Sequence, residues 1–73
     1  MGTSGDAGHR RGVFLANRGR YVEARRALTD AAEIARRQGD VNLLARITGT
    51  TAYVLARMGD VETGERLLLD MLE

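Results

Sequence analysis

Glycine recurs at a constant interval in this chain, at Gly19, Gly39 and Gly59. Each of these glycines is followed by a polar residue and then by an apolar residue that opens a new helical pattern. A helix commonly ends on a glycine in the left-handed conformation, and an aspartate just after it is well placed to cap the next helix. The interval therefore predicts a row of antiparallel helices joined by short turns.

The apolar spacing between these glycines agrees with four helices. The second helix is the clearest, because Ala24, Leu28, Ala31 and Ala35 recur at spacings of three and four residues. The third helix carries two apolar ridges instead of one, which indicates neighbours on two sides. We expect an all-α fold with a flexible arm at residues 1–5 and helices at about 6–18, 21–38, 41–58 and 61–72.

The second half of the chain repeats the first half, with a shift that places Gly19 on Gly59. Seven of the 22 positions from Gly12 to Glu33 are identical to their counterparts from Ala52 to Glu73. The identical pairs are Leu15/Leu55, Ala16/Ala56, Gly19/Gly59, Arg26/Arg66, Leu28/Leu68, Asp30/Asp70 and Glu33/Glu73. A two-helix unit repeated in this way is typical of an α-solenoid. We expect one domain, 6–73, in which two antiparallel helical hairpins, 6–38 and 41–73, form a right-handed α-solenoid.

Both units also share a pattern of small, large and glycine residues. Its residues are Gly12, Leu15, Gly19, Tyr21, Ala24, Leu28 and Ala31 in the first unit and Ala52, Leu55, Gly59, Val61, Gly64, Leu68 and Met71 in the second. Over residues 8–72 this pattern resembles the tetratricopeptide repeat family. The second unit departs from it at Gly64 and Met71, and both units lack the terminal proline. The period is longer than the roughly 34 residues usual for the family, so the chain looks like the longer-helix bacterial variant, common in large actinobacterial regulators and signalling ATPases.

The resemblance implies a function in binding, because the first helix of each unit lines a concave groove in that family. The residues expected to line it are Asn42, Arg46, Tyr53 and Arg57 on the third helix, around Gly49, and His9, Val13, Ala16 and Asn17 on the first. We expect Arg46, Tyr53 and Arg57 to hold a carboxylate or an acidic peptide through charge-assisted hydrogen bonds. The alternative, that both arginines are merely solvated and Tyr53 packs on a neighbour, stays open. The Lys and Asn residues of the family's clamp for acidic C-terminal peptides are not matched here.

Self-association is a second hypothesis. The segment from His9 to Arg26 holds six arginines against Glu23, and the segment from Gly59 to Glu73 holds five acidic residues against Arg66. The last helix also ends in a strongly apolar stretch, in which Leu68, Met71 and Leu72 are the expected contact residues. Copies of the chain would then associate head-to-tail or as a symmetric dimer. A third hypothesis is the sensory repeat segment of a transcriptional regulator.

Other classes of function have little support in the sequence. The chain has no Cys and a single histidine, His9, so it offers no converging metal ligands and no thiol nucleophile. We expect His9 to be exposed, and we expect no catalytic site and no cofactor. The net charge of +1 argues neither for nor against nucleic acid. The absence of aromatic stacking platforms and of a known DNA-binding motif makes nucleic acid an unlikely partner. No run approaches the roughly 18 apolar residues of a membrane span, and the N-terminus lacks the apolar core of a signal peptide, so we expect no membrane partner and a cytoplasmic location.

Overall fold

The computed structural model describes residues 5–72, and this part of the chain folds into four α-helices without a β-strand. The helices are α1 (Gly5–Asn17), α2 (Tyr21–Gln38), α3 (Val41–Arg57) and α4 (Val61–Leu72). All four lie within one residue of the predicted bounds, which confirms the all-α fold. Gly5 is a buried residue of α1, so the predicted arm is one residue too long there. The rest of that arm, residues 1–4, lies outside the described residues, as does Glu73.

The three turns between the helices have the same geometry. Gly39 has a φ of 68°, its N–H donates to the Arg36 carbonyl at 3.1 Å, and the Asp40 N–H donates to the Ala35 carbonyl at 3.0 Å. The same pair of hydrogen bonds recurs at Gly19 and Gly59, which also have positive φ. Only glycine adopts this left-handed conformation without a steric penalty. The regular interval of glycine in the sequence therefore marks the places where each helix stops.

The helices lie in a row in which each one packs against the next in sequence. The one further contact joins α1 to α3, and within residues 5–72 neither α1 nor α2 contacts α4. The Cα atoms span 36 × 31 × 13 Å, a flattened shape that differs from the square section of a compact four-helix bundle. We call α1 with α2 the first hairpin and α3 with α4 the second hairpin.

The core forms where α2 is covered on both sides by α1 and α3. Leu28, Ile47, Val54 and Leu55 are the largest fully buried side chains. Close approach of α1 to α2 depends on Gly12, because a Cβ atom there would lie only 2.6 Å from Cδ2 of Leu28. Helix α4 buries a single described residue, Gly64, against α3. The first hairpin and α3 therefore hold most of the core, and α4 is an edge helix.

Candidate functional site

Helices α1 and α3 leave an open groove between them, with a volume of about 460 Å³. We call it the α1–α3 groove, and its lining residues are His9 and Val13 of α1 and Arg46, Gly49, Thr50 and Tyr53 of α3. The contact between α1 and α3 brings together residues that are far apart in the sequence. Five residues of the predicted groove line it, and they are His9, Val13, Arg46, Gly49 and Tyr53.

The remaining predicted groove residues do not line it. Ala16 is buried in the core. Asn17 and Asn42 are exposed and do not belong to the lining of the α1–α3 groove. Arg57 lies near the end of α3, where its Nε donates to the hydroxyl of Tyr21 at 3.3 Å. This hydrogen bond is the largest cause that raises the pKa of Arg57 above its ordinary value. Arg57 is therefore a permanent cation next to the start of α2.

His9 is not fully exposed, and the expectation of an exposed histidine is wrong. Its Nε2 atom lies 2.9 Å from Oγ1 of Thr50, a residue 41 positions later. The Thr50 hydroxyl donates its proton to the Arg46 carbonyl at 3.1 Å, so it accepts a hydrogen bond from His9. In this arrangement of the hydroxyl proton, Nε2 is the protonated nitrogen of the neutral ring and Nδ1 is its acceptor.

Burial is the main reason why the pKa of His9 lies below its ordinary value. The positive charge of Arg46 lowers it further, and the negative charge of Asp6 opposes both effects in part. His9 is consequently neutral at pH 7. The groove then holds one permanent cation, Arg46, beside an uncharged imidazole.

The groove is open around Gly49, in the middle of its α3 side. A Cβ atom built at this position would meet no heavy atom within 4 Å. The side chains of Val13 and Tyr53 provide apolar surface on either side, and Tyr53 is exposed. This arrangement suits an apolar side chain placed next to an acidic group, which Arg46 would bind.

A second concave region, which we call the α2–α4 cleft, was not predicted from the sequence. It has a volume of about 250 Å³, and α3 forms its floor because α2 and α4 do not touch. Thr48 and Thr51 of α3 line it, and their hydroxyls donate to carbonyls of the preceding turn at 2.8 Å. The threonines therefore present their methyl groups to the cleft. The sequence signal was the pair of threonines three residues apart on an apolar ridge.

The predicted self-association residues lie on α4, the edge helix. Leu68, Met71 and Leu72 are all exposed, and Leu69 beside them is exposed as well. Helix α4 contacts only α3 within the described residues. Its other side is therefore an apolar face that no part of residues 5–72 covers.

Comparisons of the chain with protein-family models, with curated proteins and with solved structures found no match. Over residues 5–72 the fold and the groove define the class, an all-α protein of four helices with an open groove between α1 and α3. Among residues 5–72, no helix is long and apolar enough to cross a membrane. The same residues contain no group of three or more His, Asp or Glu side chains suited to hold a metal ion.

Proposed function

We propose that the chain is a non-enzymatic helical-repeat module of the tetratricopeptide type, which binds a peptide or protein segment in the α1–α3 groove. The internal repeat and the identical turns support the repeat assignment, and the row of helices is compatible with a right-handed solenoid. In this proposal the module works in the cytoplasm as one part of a larger bacterial protein. The observation that carries the binding function is the convergence of Val13, Arg46 and Tyr53 on one open groove.

The chemistry of the groove favours an acidic segment with an adjacent apolar side chain. The guanidinium of Arg46 donates to carboxylates through charge-assisted hydrogen bonds, which are about twice as strong as neutral ones. Arg46 is exposed and forms no ion pair among the described residues, so its charge is available to a ligand. Val13 and the ring of Tyr53 provide the apolar contact, since aromatic residues supply much of the energy at binding surfaces.

Gly49 offers a direct test of the groove. A Cβ atom at this position meets no heavy atom within 4 Å, so Gly49→Leu should project a side chain into the groove without displacing the backbone. Because glycine is a poor helix former, the same change is expected to favour α3 by up to about 1 kcal/mol. Gly49→Leu should therefore block the groove while the free energy of unfolding stays the same or rises.

The experiment begins with a peptide selected from a random library displayed on phage. Isothermal titration calorimetry then measures its affinity for the wild type and for each variant. We expect Gly49→Leu, Arg46→Ala and Tyr53→Ala each to weaken binding at least tenfold. Asn42→Ala is the matched control, since Asn42 lies on α3 outside the groove lining. A peptide that binds Gly49→Leu and Arg46→Ala as tightly as the wild type would show that the groove is not the binding site.

A further inference from the structure

The two ends of the helix row correspond to two surfaces that pack together inside the chain. Under the internal repeat, α4 is the counterpart of α2 and α1 is the counterpart of α3. Helices α2 and α3 pack against each other. A contact between α4 of one copy and α1 of a second copy would therefore repeat, between molecules, an interface that already exists within one molecule.

The face of α4 has the apolar side chains that such a contact requires. Leu28 of α2 is fully buried, while its counterpart Leu68 is 37% exposed. Ala31 is fully buried as well, and its counterpart Met71 is 44% exposed. At these two positions the side chains of α4 are as large as those of α2 or larger, and in α2 the same positions are covered from both sides. What it lacks within residues 5–72 is a second neighbour.

Helix α1 also exposes an apolar residue whose counterpart is buried. Val54 of α3 is fully buried and belongs to a core cluster that includes Leu15 and Ala24 of the first hairpin. Its counterpart on α1 is Phe14, which is 57% exposed, with the Arg18 guanidinium 5.3 Å from the centre of its ring. Phe14 is therefore equivalent to the residue through which α3 packs against the first hairpin. In the assembly, Phe14 of α1 would pack in the same way against the second hairpin of a neighbouring copy.

The charges at the two faces are opposite. Arg25 and Thr51 line the α2–α4 cleft together, and their counterparts under the repeat are Glu65 and Arg11. Neither Glu65 nor Arg11 forms an ion pair among residues 5–72. The repeated interface would thus place an acid of α4 and an arginine of α1 on the walls of the same cleft. A symmetric contact of α4 with α4 would instead bring two acidic helices together.

We propose that copies of this chain associate head-to-tail, with α4 of one copy packed against α1 of the next as α2 packs against α3. Such an interface is heterologous, because two different surfaces meet. However many copies have joined, the assembly still has one free α1 face at one end and one free α4 face at the other. It therefore grows beyond a dimer as the concentration rises. This proposal does not depend on peptide binding in the α1–α3 groove.

Two variants that each block one end provide the test. Phe14→Glu places an acid on the α1 face opposite the acidic α4, and Leu72→Arg places a cation on the α4 face opposite the basic α1. Phe14 and Leu72 are 57% and 80% exposed, so the isolated fold should tolerate both changes. Circular dichroism would verify that both variants remain helical. Val41→Glu is the control, since Val41 is an exposed apolar residue at the start of the central helix α3.

Sedimentation velocity should show that the mass of the wild type and of Val41→Glu rises beyond two chains at high concentration. Each blocked variant alone should stay near the 8.0 kDa of one chain. An equimolar mixture of the two should form a heterodimer, because Phe14→Glu keeps its α4 face and Leu72→Arg keeps its α1 face. High salt should weaken this heterodimer severalfold, because surface charges are screened.

Three outcomes would overturn the proposal. Wild-type protein that stays monomeric at about millimolar concentration would rule out association in either arrangement. A Phe14→Glu variant that dimerises alone would indicate a symmetric contact of α4 with α4. Failure of the folded blocked variants to combine, although the wild type associates, would show that the interface lies elsewhere.

Discussion

The imidazole of His9 lies where burial and a neighbouring cation both oppose its protonation. Its Nε2 atom contacts Thr50, and the charge of Arg46 acts on the ring from the facing helix. Asp6, one turn earlier on α1, reduces this effect without cancelling it. The histidine therefore couples the α1–α3 contact to pH, although it makes no ion pair within residues 5–72.

We predict that part of the folding stability is lost on acidification because of this residue. The pKa of His9 is lower in the folded protein than its ordinary value of 6.5, so the unfolded chain binds the proton more readily. The contribution is complete above pH 6.5 and declines as the pH falls through the lower folded-state pKa. Urea unfolding at pH 7.5 and 5.5 should show a smaller decrease for His9→Gln, which keeps a side-chain donor for Thr50, than for the wild type. Equal decreases would mean that His9 has no part in the pH dependence.

At the level of the elements, the four helices do not begin in the same way. Asp40 caps α3, since its Oδ1 accepts from the Leu43 N–H at 3.1 Å. Asp60 accepts from the Thr63 N–H at 3.3 Å at the start of α4. The equivalent residue before α2 is Arg20, which makes no capping hydrogen bond and instead pairs with Glu23 at 2.6 Å. Helix α2, the most central in the core, therefore lacks a side-chain cap.

Arg20→Asp should stabilise the protein by about 0.5–1 kcal/mol. The backbone of Arg20, with φ −92° and ψ 68°, is close to that of Asp40, with φ −86° and ψ 86°. An aspartate there can accept from the Glu23 N–H, and the gain exceeds the small contribution of an exposed ion pair. Denaturant unfolding of Arg20→Asp, Arg20→Ala and Asp40→Ala would measure the effect. Arg20→Ala is the control for losing the ion pair alone, and an Arg20→Asp protein no more stable than Arg20→Ala would contradict the prediction.

The helices were predictable because their ends depend on local chemistry. Gly39 and its two counterparts mark left-handed turns, and an adjacent aspartate can cap a helix whatever the rest of the chain does. The groove was only partly predictable, because it depends on how α1 and α3 lie against each other. Arg57 illustrates the limit, since it follows Arg46 by about three helical turns and shares its side of α3. It nevertheless lies about 16 Å further along the helix axis, next to Tyr21 and outside the groove.

The same limit applies to contacts between distant residues. The bond between His9 and Thr50 joins positions 41 residues apart, and it requires that α1 and α3 approach each other although α2 lies between them in the sequence. The α2–α4 cleft requires that α2 and α4 stay apart, which no periodicity in either helix encodes. Sequence periodicity identifies the face of a helix, whereas a site also depends on the distance and angle between helices.

On the scale of the whole molecule, stability is distributed unevenly along the row of helices. Each helix contacts only its near neighbours, as in repeat proteins whose stability is approximately a sum of local terms. Helix α2 has covering neighbours on both sides, while α4 contacts α3 alone within the described residues. Local opening therefore requires the least free energy at α4. The end that opens most readily is also the end that head-to-tail association would cover.

Native-state hydrogen exchange should detect this gradient. In dilute monomeric protein we expect the slowest amide exchange in the middle of α2 and α3, around Ala31 and Val54, and the fastest helical exchange in α4. Concentrated protein should show slower exchange in α4 and α1, because binding to the folded state raises its apparent stability. The amides of α2 should change much less, with Leu72→Arg as the control that cannot present an intact α4 face. Equal protection of α2 and α4 in the dilute sample would mean that the four helices unfold as one cooperative unit, since the edge helix would then share the full stability of the core.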